Sequence, residues 1–302
     1  MIRQVAIIGM GALGMMYGEH IISAMGKDSV SFILDDDRFF RNKNRIFTCN
    51  GSKIDFPMQR SSEKKSFDLV IVAVKYTSLE QALETMKNCI GSDTVIMSVM
   101  NGIDSEEIIG KRFGDSHMIY TVAQAMDAMR DGTSLKYTKK GILCIGKKKE
   151  QDAGRLNAVA DFFDSIRLPY QIEEDILYRI WAKWMLNVGI NQTCAVFDTT
   201  YRETLSQEEP FRYFTEAMQE VLLLSKSEGI NLSDSEPQKY IEIIKTLDPD
   251  GFPSMAQDRK AKRPSELEMF AGKVLELAEK HGIKTPANEY LYSRMKEIEA
   301  AY

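Results

Sequence analysis

A chain of 302 residues is about twice the usual single-domain length, so two domains are expected, each large enough for its own core. With 44% hydrophobic and 27% charged residues the composition is that of a globular protein and excludes a disordered chain. A formal net charge of −5 gives no overall field for gathering nucleic acid or an anionic membrane, and no apolar stretch approaches the roughly 18 to 20 residues that cross a bilayer. Neither nucleic acid nor membrane is therefore expected as a partner. The start Met1-Ile2-Arg3-Gln4 leads straight into an apolar run with no signal-peptide pattern, so a cytoplasmic location is expected. Cys49, Cys89, Cys144 and Cys194 are far apart and only three histidines accompany them, so no metal site is expected.

Apolar runs at 4–9, 30–34, 69–74, 94–99, 118–123 and 141–145 alternate with helix-length segments. They lack a solvent-facing alternation, as strands buried on both faces of a parallel sheet do, and predict an α/β first domain over residues 1–172. From about Glu174 the pattern turns helical, at 176–193, 209–228, 235–247, around 255–278 and 287–300. Gly229, the Asp248-Pro249-Asp250-Gly251 turn and the 282–286 segment punctuate it, giving an all-helical second domain over 173–302. Lys147-Lys148-Lys149 reads as a solvated turn.

Gly9-Met10-Gly11-Ala12-Leu13-Gly14 directly follows the first strand and opens a helix. Gly9 allows the tight turn, Gly11 leaves room for a pyrophosphate against the backbone, and Gly14 lets helix and strand pack closely. The phosphates would then meet unpaired N–H groups at the positive end of the helix. The second strand ends in Leu34-Asp35-Asp36-Asp37, with Asp35 where a ribose-binding acid belongs. An aspartate there accepts from a 2′-hydroxyl and repels a 2′-phosphate, which points to NAD(H). Arg38, Arg41 and Lys43 follow closely, and a guanidinium can clamp a phosphate if the loop turns back, which would admit NADP(H). Lys75 and Asn101-Gly102 end two further strands, where open sheets take ligands, so both are candidate crevice residues.

Lys183, Asn187 and Asn191 are spaced by four on a strongly apolar helix and share one face. On such a helix they either pair with one another or line a polar cavity. Together with the glycine motif, Asn101-Gly102, and the segment Pro253-Ser254-Met255-Ala256-Gln257-Asp258 leading to Ser265-Glu266, this arrangement resembles that of ketopantoate reductases over nearly the whole chain. The resemblance implies a Rossmann-type domain joined to an all-helical domain, with the substrate in the cleft between them. It implies reduction of 2-dehydropantoate (ketopantoate) to D-pantoate by hydride transfer from NAD(P)H, with Lys183 as proton donor. Asn101 and Asn187 would contact the substrate, Asn191 would support them, and Ser254 and Glu266 would complete the pocket. In that setting Ser254 is expected to donate to the substrate carboxylate, and Glu266 to accept from a hydroxyl or orient Lys183. The chemistry agrees: a nearby ammonium stabilises and then protonates the oxygen that gains charge as hydride adds to a ketone. The family's usual basic residue at the end of the second strand is replaced here by the acidic run. The resemblance thus points to NADP(H) and the run to NAD(H).

Two other readings share these features. A D-2-hydroxy-acid dehydrogenase of the same family would act on another branched or aromatic 2-oxo acid. A dinucleotide-binding sensor would need the glycines but not Lys183, Asn187, Ser254 and Glu266 together. A sugar-nucleotide or 3-hydroxyacid dehydrogenase fits less well, because His20, His117 and His281 are scattered and form no general-base constellation. Dimerisation through the helical half is compatible with the sequence but not specified by it.

Overall fold

The structure, a computed structural model, describes residues 1–148 and 153–302, so Lys149 lies outside the described residues. The chain forms two compact units, Met1–Ile176 and Leu177–Tyr302. In the first, β1 (Val5–Ile8), α1 (Ala12–Met25), β2 (Val30–Leu34) and α2 (Asp36–Asn42) are followed by the short strands β3 (Phe47–Cys49), β4 (Ser52–Ile54) and β5 (Met58–Arg60). Then come β6 (Leu69–Val72), α3 (Leu79–Met86), β7 (Val95–Ser98), α4 (Ser105–Phe113) and β8 (Met118–Met126). The unit closes with β9 (Met129–Asp131), β10 (Ser134–Lys136), β11 (Lys140–Gly146), α5 (Ala153–Ile166) and β12 (Tyr170–Ile172).

Eight strands build the main sheet in the order β12-β11-β8-β7-β6-β1-β2-β5. Every residue of β1, β6 and β7 is buried, which is why their sequences are apolar on both faces. All six expected strands are present. The expected all-parallel sheet needs one correction: β11 runs antiparallel to β8, and their pairing carries both strands past their expected ends, with Lys140 opposite Met126. A second, four-stranded sheet, β4-β3-β10-β9, was not anticipated. Its strands are only three residues long and largely polar, too short for a periodicity to register. Strand order reverses at β1, with β2 on one side and β6 on the other, so the carboxyl ends of β1 and β6 flank a crevice where such sheets take ligands.

The second unit is helical: α6 (Ile176–Phe197, from the last residue of the first unit), α7 (Tyr201–Ser206), α8 (Glu208–Ser227), α9 (Glu236–Lys245), α10 (Ser254–Lys260), a π-helical turn at Glu268–Gly272, α11 (Lys273–His281) and α12 (Pro286–Glu299). At the middle of α6, Gly189 packs against α8 so closely that a Cβ there would lie 2.7 Å from Met218 and 2.9 Å from Phe214. Glycine within a helix costs about 0.5–1 kcal/mol relative to alanine, and this close crossing is what it permits. The expected helical region around 255–278 is broken instead. Lys262 has a φ of 50° and Pro264 disfavours helix at the residue before it, so α10 ends and the chain re-enters helix through the π turn. Thr200 and Glu203 form a capping box that starts α7, a signal present in the sequence as Thr-x-x-Glu. All four cysteines are buried, and burial pushes Cys89 up to about 12 and Cys194 up to about 11, as suits packing groups. Among the described residues no helix is long and apolar enough to cross a membrane.

Candidate active site

The glycine motif spans the turn from β1 into α1. Gly9 has φ 110°, and a Cβ there would lie 2.4 Å from the Ala73 carbonyl oxygen, so only glycine fits the turn. A Cβ on Gly14 would lie 2.1 Å from the Gly9 carbonyl oxygen, which is the close helix–strand packing expected of the third glycine. No side chain caps α1 at Gly11, so the first amides of the helix are open to an anion. A cradle of this shape fits a dinucleotide pyrophosphate. Ala12 and Leu13, by contrast, turn onto the core of the unit. Gly14→Ala is expected to force the turn outward, since overpacking of this kind costs about 1–3 kcal/mol. A lower melting temperature and dinucleotide affinity weakened by about tenfold or more would be read by thermal melts and calorimetry; unchanged affinity would separate the loop from the cofactor.

Beyond the loop lies a cleft of about 390 Å³ whose lining includes Gly9, Met10, Gly11 and Lys75 together with Arg38, Arg41, Arg45 and Arg130. Asp35 is not among its lining residues. It is the N-cap of α2: Oδ1 accepts from the Arg38 amide at 2.8 Å, and Oδ2 lies 3.4 Å from Arg38 Nε. The aspartate that the spacing marks as a ribose ligand thus has a local capping role in this structure. Among the described residues no carboxylate pairs with Arg41, Arg45 or Arg130. Burial and the neighbouring Arg45 hold the Arg130 guanidinium below its ordinary value. Arg130 comes from β9 of the small sheet and donates to the Met10 carbonyl in the glycine loop and to the Gly132 carbonyl. Three arginines without carboxylate partners around one cleft create a site for a highly charged anion. Sequence reasoning named Arg38 and Arg41 as phosphate candidates but missed Arg45 and Arg130. Lys43 stacks over the Phe40 ring instead of lining the cleft.

Asn101 is half-buried in the loop that leaves β7, followed by Gly102 at φ 96°. The loop is tied to the segment after β6 by the Tyr76 hydroxyl, which donates to Asp104 at 3.0 Å. Lys75 immediately precedes Tyr76, so two predicted strand-end residues sit on linked loops.

In the second unit α6 is almost wholly buried around Lys183 and Asn187, which are themselves half-buried. Asn191 Nδ2 donates to Asn187 Oδ1 at 3.3 Å. Asn191 Oδ1 accepts from Ser254 Oγ at 3.1 Å and from the Met255 amide at 3.3 Å. The face read from the four-residue spacing is therefore a connected polar line that joins α6 to the start of α10. Ser254, expected as a donor to the substrate, directs its hydroxyl proton to Asn191 here. Glu266 is half-buried in the bend before the π turn, not in the first turn of an α-helix. The π turn is held to α6 by the buried Trp184 indole, which donates to the Met269 carbonyl at 3.0 Å. Local π-helical geometry of this kind is common at functional sites.

Residues 5–150 match the sequence profile described as ketopantoate reductase PanE/ApbA, and residues 175–299 match its C-terminal counterpart. The chain belongs to the ketopantoate reductase family. It is 27% identical over 291 residues to the 2-dehydropantoate 2-reductase of Streptococcus pyogenes serotype M6, covering 93% of each chain. Its fold is that of a D-mandelate dehydrogenase solved with NADH and anilino(oxo)acetate, with a TM-score of 0.87 at 23% identity over 99% of this chain and 98% of that one. The ketopantoate reductase of Ralstonia eutropha JMP134 superposes with a TM-score of 0.83 at 22% identity, covering 99% of both chains. The protein is an NAD(P)-dependent reductase with a Rossmann-type first unit and a helical second unit, and its cofactor is a nicotinamide dinucleotide.

Proposed function

We propose that this family member reduces 2-dehydropantoate to D-pantoate and takes its hydride from NADPH. The observation that carries the substrate reading is the polar line of α6, where Asn191 is held by Ser254 and in turn holds Asn187 beside Lys183. Because Asn187 Oδ1 already accepts from Asn191, its NH₂ group is left to donate, as a carboxylate or hydroxyl oxygen of a 2-oxo acid requires. Ser254, with its proton directed to Asn191, offers lone pairs to a substrate hydroxyl. The reduced nicotinamide, when bound along the glycine loop, supplies hydride to the ketone carbon. The Lys183 ammonium stabilises the negative charge growing on the ketone oxygen and then donates the proton that completes the alcohol. Glu266 accepts from a substrate hydroxyl or orients that ammonium, and Asn101 offers its amide to cofactor or substrate.

The arginine cleft supports NADPH over NADH. Arg38, Arg41, Arg45 and Arg130 suit a phosphomonoester, whereas the carboxylate that would select a 2′-hydroxyl caps α2. This reverses the preference drawn from the acidic run alone. A second reading, reduction of an aromatic or branched 2-oxo acid to a D-2-hydroxy acid, is favoured by the likeness to D-mandelate dehydrogenase and uses the same residues.

The test is steady-state oxidation of NADPH and NADH with 2-dehydropantoate and a panel of branched and aromatic 2-oxo acids. The proposal expects the highest kcat/KM with 2-dehydropantoate and NADPH. Efficient turnover confined to other acids would replace it with the D-2-hydroxy-acid reading.

A further inference from the structure

The first unit contains one buried carboxylate among its described residues, Glu106 in the first turn of α4. A buried carboxylate is costly unless its oxygens find donors. Glu106 Oε2 accepts from Ser105 Oγ at 2.7 Å, and Oε1 lies 3.5 Å from the Thr121 amide on β8. Ser105 Oγ lies 2.8 Å from Ser98 Oγ at the end of β7, and Ser98 Oγ accepts from the Met100 amide at 3.4 Å. Both serines are fully enclosed. The line of groups therefore ends one residue before Asn101.

Its direction depends on the proton state of Glu106. With the carboxylate ionised, the Met100 amide donates to Ser98, Ser98 to Ser105 and Ser105 to Glu106, so every proton along the line has an acceptor. With the carboxyl protonated at Oε2, Glu106 donates to Ser105 and Ser105 to Ser98. The Ser98 hydroxyl proton then has no acceptor on the line, and the end nearest Asn101 is weakened.

We propose that Glu106 is a positioning residue for Asn101: acting through Ser105 and Ser98, its ionised form holds the turn between β7 and α4 in the conformation that presents the Asn101 amide. The proposal rests on the reading of Asn101 as a residue that contacts cofactor or substrate.

The groups facing Glu106 shape its titration. Asp104, ahead of it on the same turn, opposes ionisation, while the Ser105 hydroxyl and the Thr121 amide favour it; Tyr120 from β8, neutral where Glu106 titrates, is itself pushed up by burial and by the ionised carboxylate. Burial dominates and carries the group from 4.5 up to about 7. Because the folded state holds this proton more tightly than the unfolded chain, the stabilisation is fully present at acid pH. It is lost as pH rises from about 4.5 to about 7. Stability and the order of the Asn101 turn consequently move in opposite directions with pH.

The test compares the wild-type chain with Glu106→Gln, Ser105→Ala and Asn101→Ala. Each is assayed for kcat and KM with 2-dehydropantoate and NADPH from pH 6 to 8, and melted without cofactor from pH 5 to 8. Wild type should gain kcat/KM as pH rises through 7. Glu106→Gln should remain flat and be about tenfold lower at pH 8, and its melting temperature should no longer fall between pH 5 and 7. Ser105→Ala should share the kinetic loss while keeping the pH-dependent melting, because the carboxyl remains. Wild-type kinetics in both Glu106→Gln and Ser105→Ala, beside an impaired Asn101→Ala, would overturn the positioning role and leave the reading of Asn101 standing. Wild-type kinetics in Asn101→Ala would overturn both.

Discussion

Replacing Lys183 with alanine is expected to cut turnover at least about a hundredfold while leaving dinucleotide affinity within a few-fold of wild type. General acid catalysis is typically worth about 10²- to 10⁴-fold, and the ammonium is needed where charge develops on the ketone oxygen, not where the dinucleotide binds. In sequence Lys183 lies between the buried Trp181 and Trp184, whose rings meet edge to face at 5.2 Å and anchor this turn of α6. Truncation removes the charge and leaves those rings in place. Single-turnover kinetics with saturating cofactor, alongside fluorescence titration of NADPH, separate the two effects. A loss of only a few-fold in turnover would remove Lys183 from the acid role. Parallel losses of turnover and cofactor affinity would mean that α6 itself had shifted.

The second large effect is expected at the arginine cleft. Arg38→Ala combined with Arg41→Ala should lower kcat/KM for NADPH by about a hundredfold and change that for NADH only a few-fold. Hydrogen bonds to charged groups contribute about 1.5–3 kcal/mol each, and each 1.4 kcal/mol is about a factor of ten. Arg38 is half-exposed and Arg41 exposed, so solvent screening places their contribution at the lower end of that range. The diagnostic quantity is the ratio of the two kcat/KM values, with its dependence on salt. Equal losses with both cofactors would assign these guanidiniums to the pyrophosphate instead. Arg130→Ala should also loosen the glycine loop, because its guanidinium donates to the Met10 carbonyl.

The fate of the acidic run at the end of β2 shows where sequence reasoning reaches its limit. Asp35 stands at the right distance from the glycine motif to read a ribose, and it also directly precedes a helix that needs an N-cap. Both outcomes obey local rules. The capping role appears only when α2 is seen to begin at Asp36 and the Arg38 amide to donate to the Asp35 carboxylate. Arg130 shows the limit more sharply. It lies 120 residues from Met10, on a three-residue strand whose pattern is too brief to read, yet it lines the same cleft. Glu106 falls in a helix's first turn, where an exposed acid is ordinary, and only the packing of α4 in the unit makes it a buried carboxylate.

The sequence alone determined the elements whose information is short-range. These are the apolar strands of the main sheet, the glycine turn from β1 into α1, and the face that carries Lys183, Asn187 and Asn191, since a period of four on a helix places residues together whatever surrounds them. The tertiary structure alone decided which polar groups meet. Ser254 reaches Asn191 across 63 positions, Trp184 holds the π turn across 85, and four arginines from two separate segments enclose one cleft. Such pairings follow from how buried surfaces pack and from the need to satisfy every polar group they enclose, and neither condition is written in the spacing of neighbouring residues.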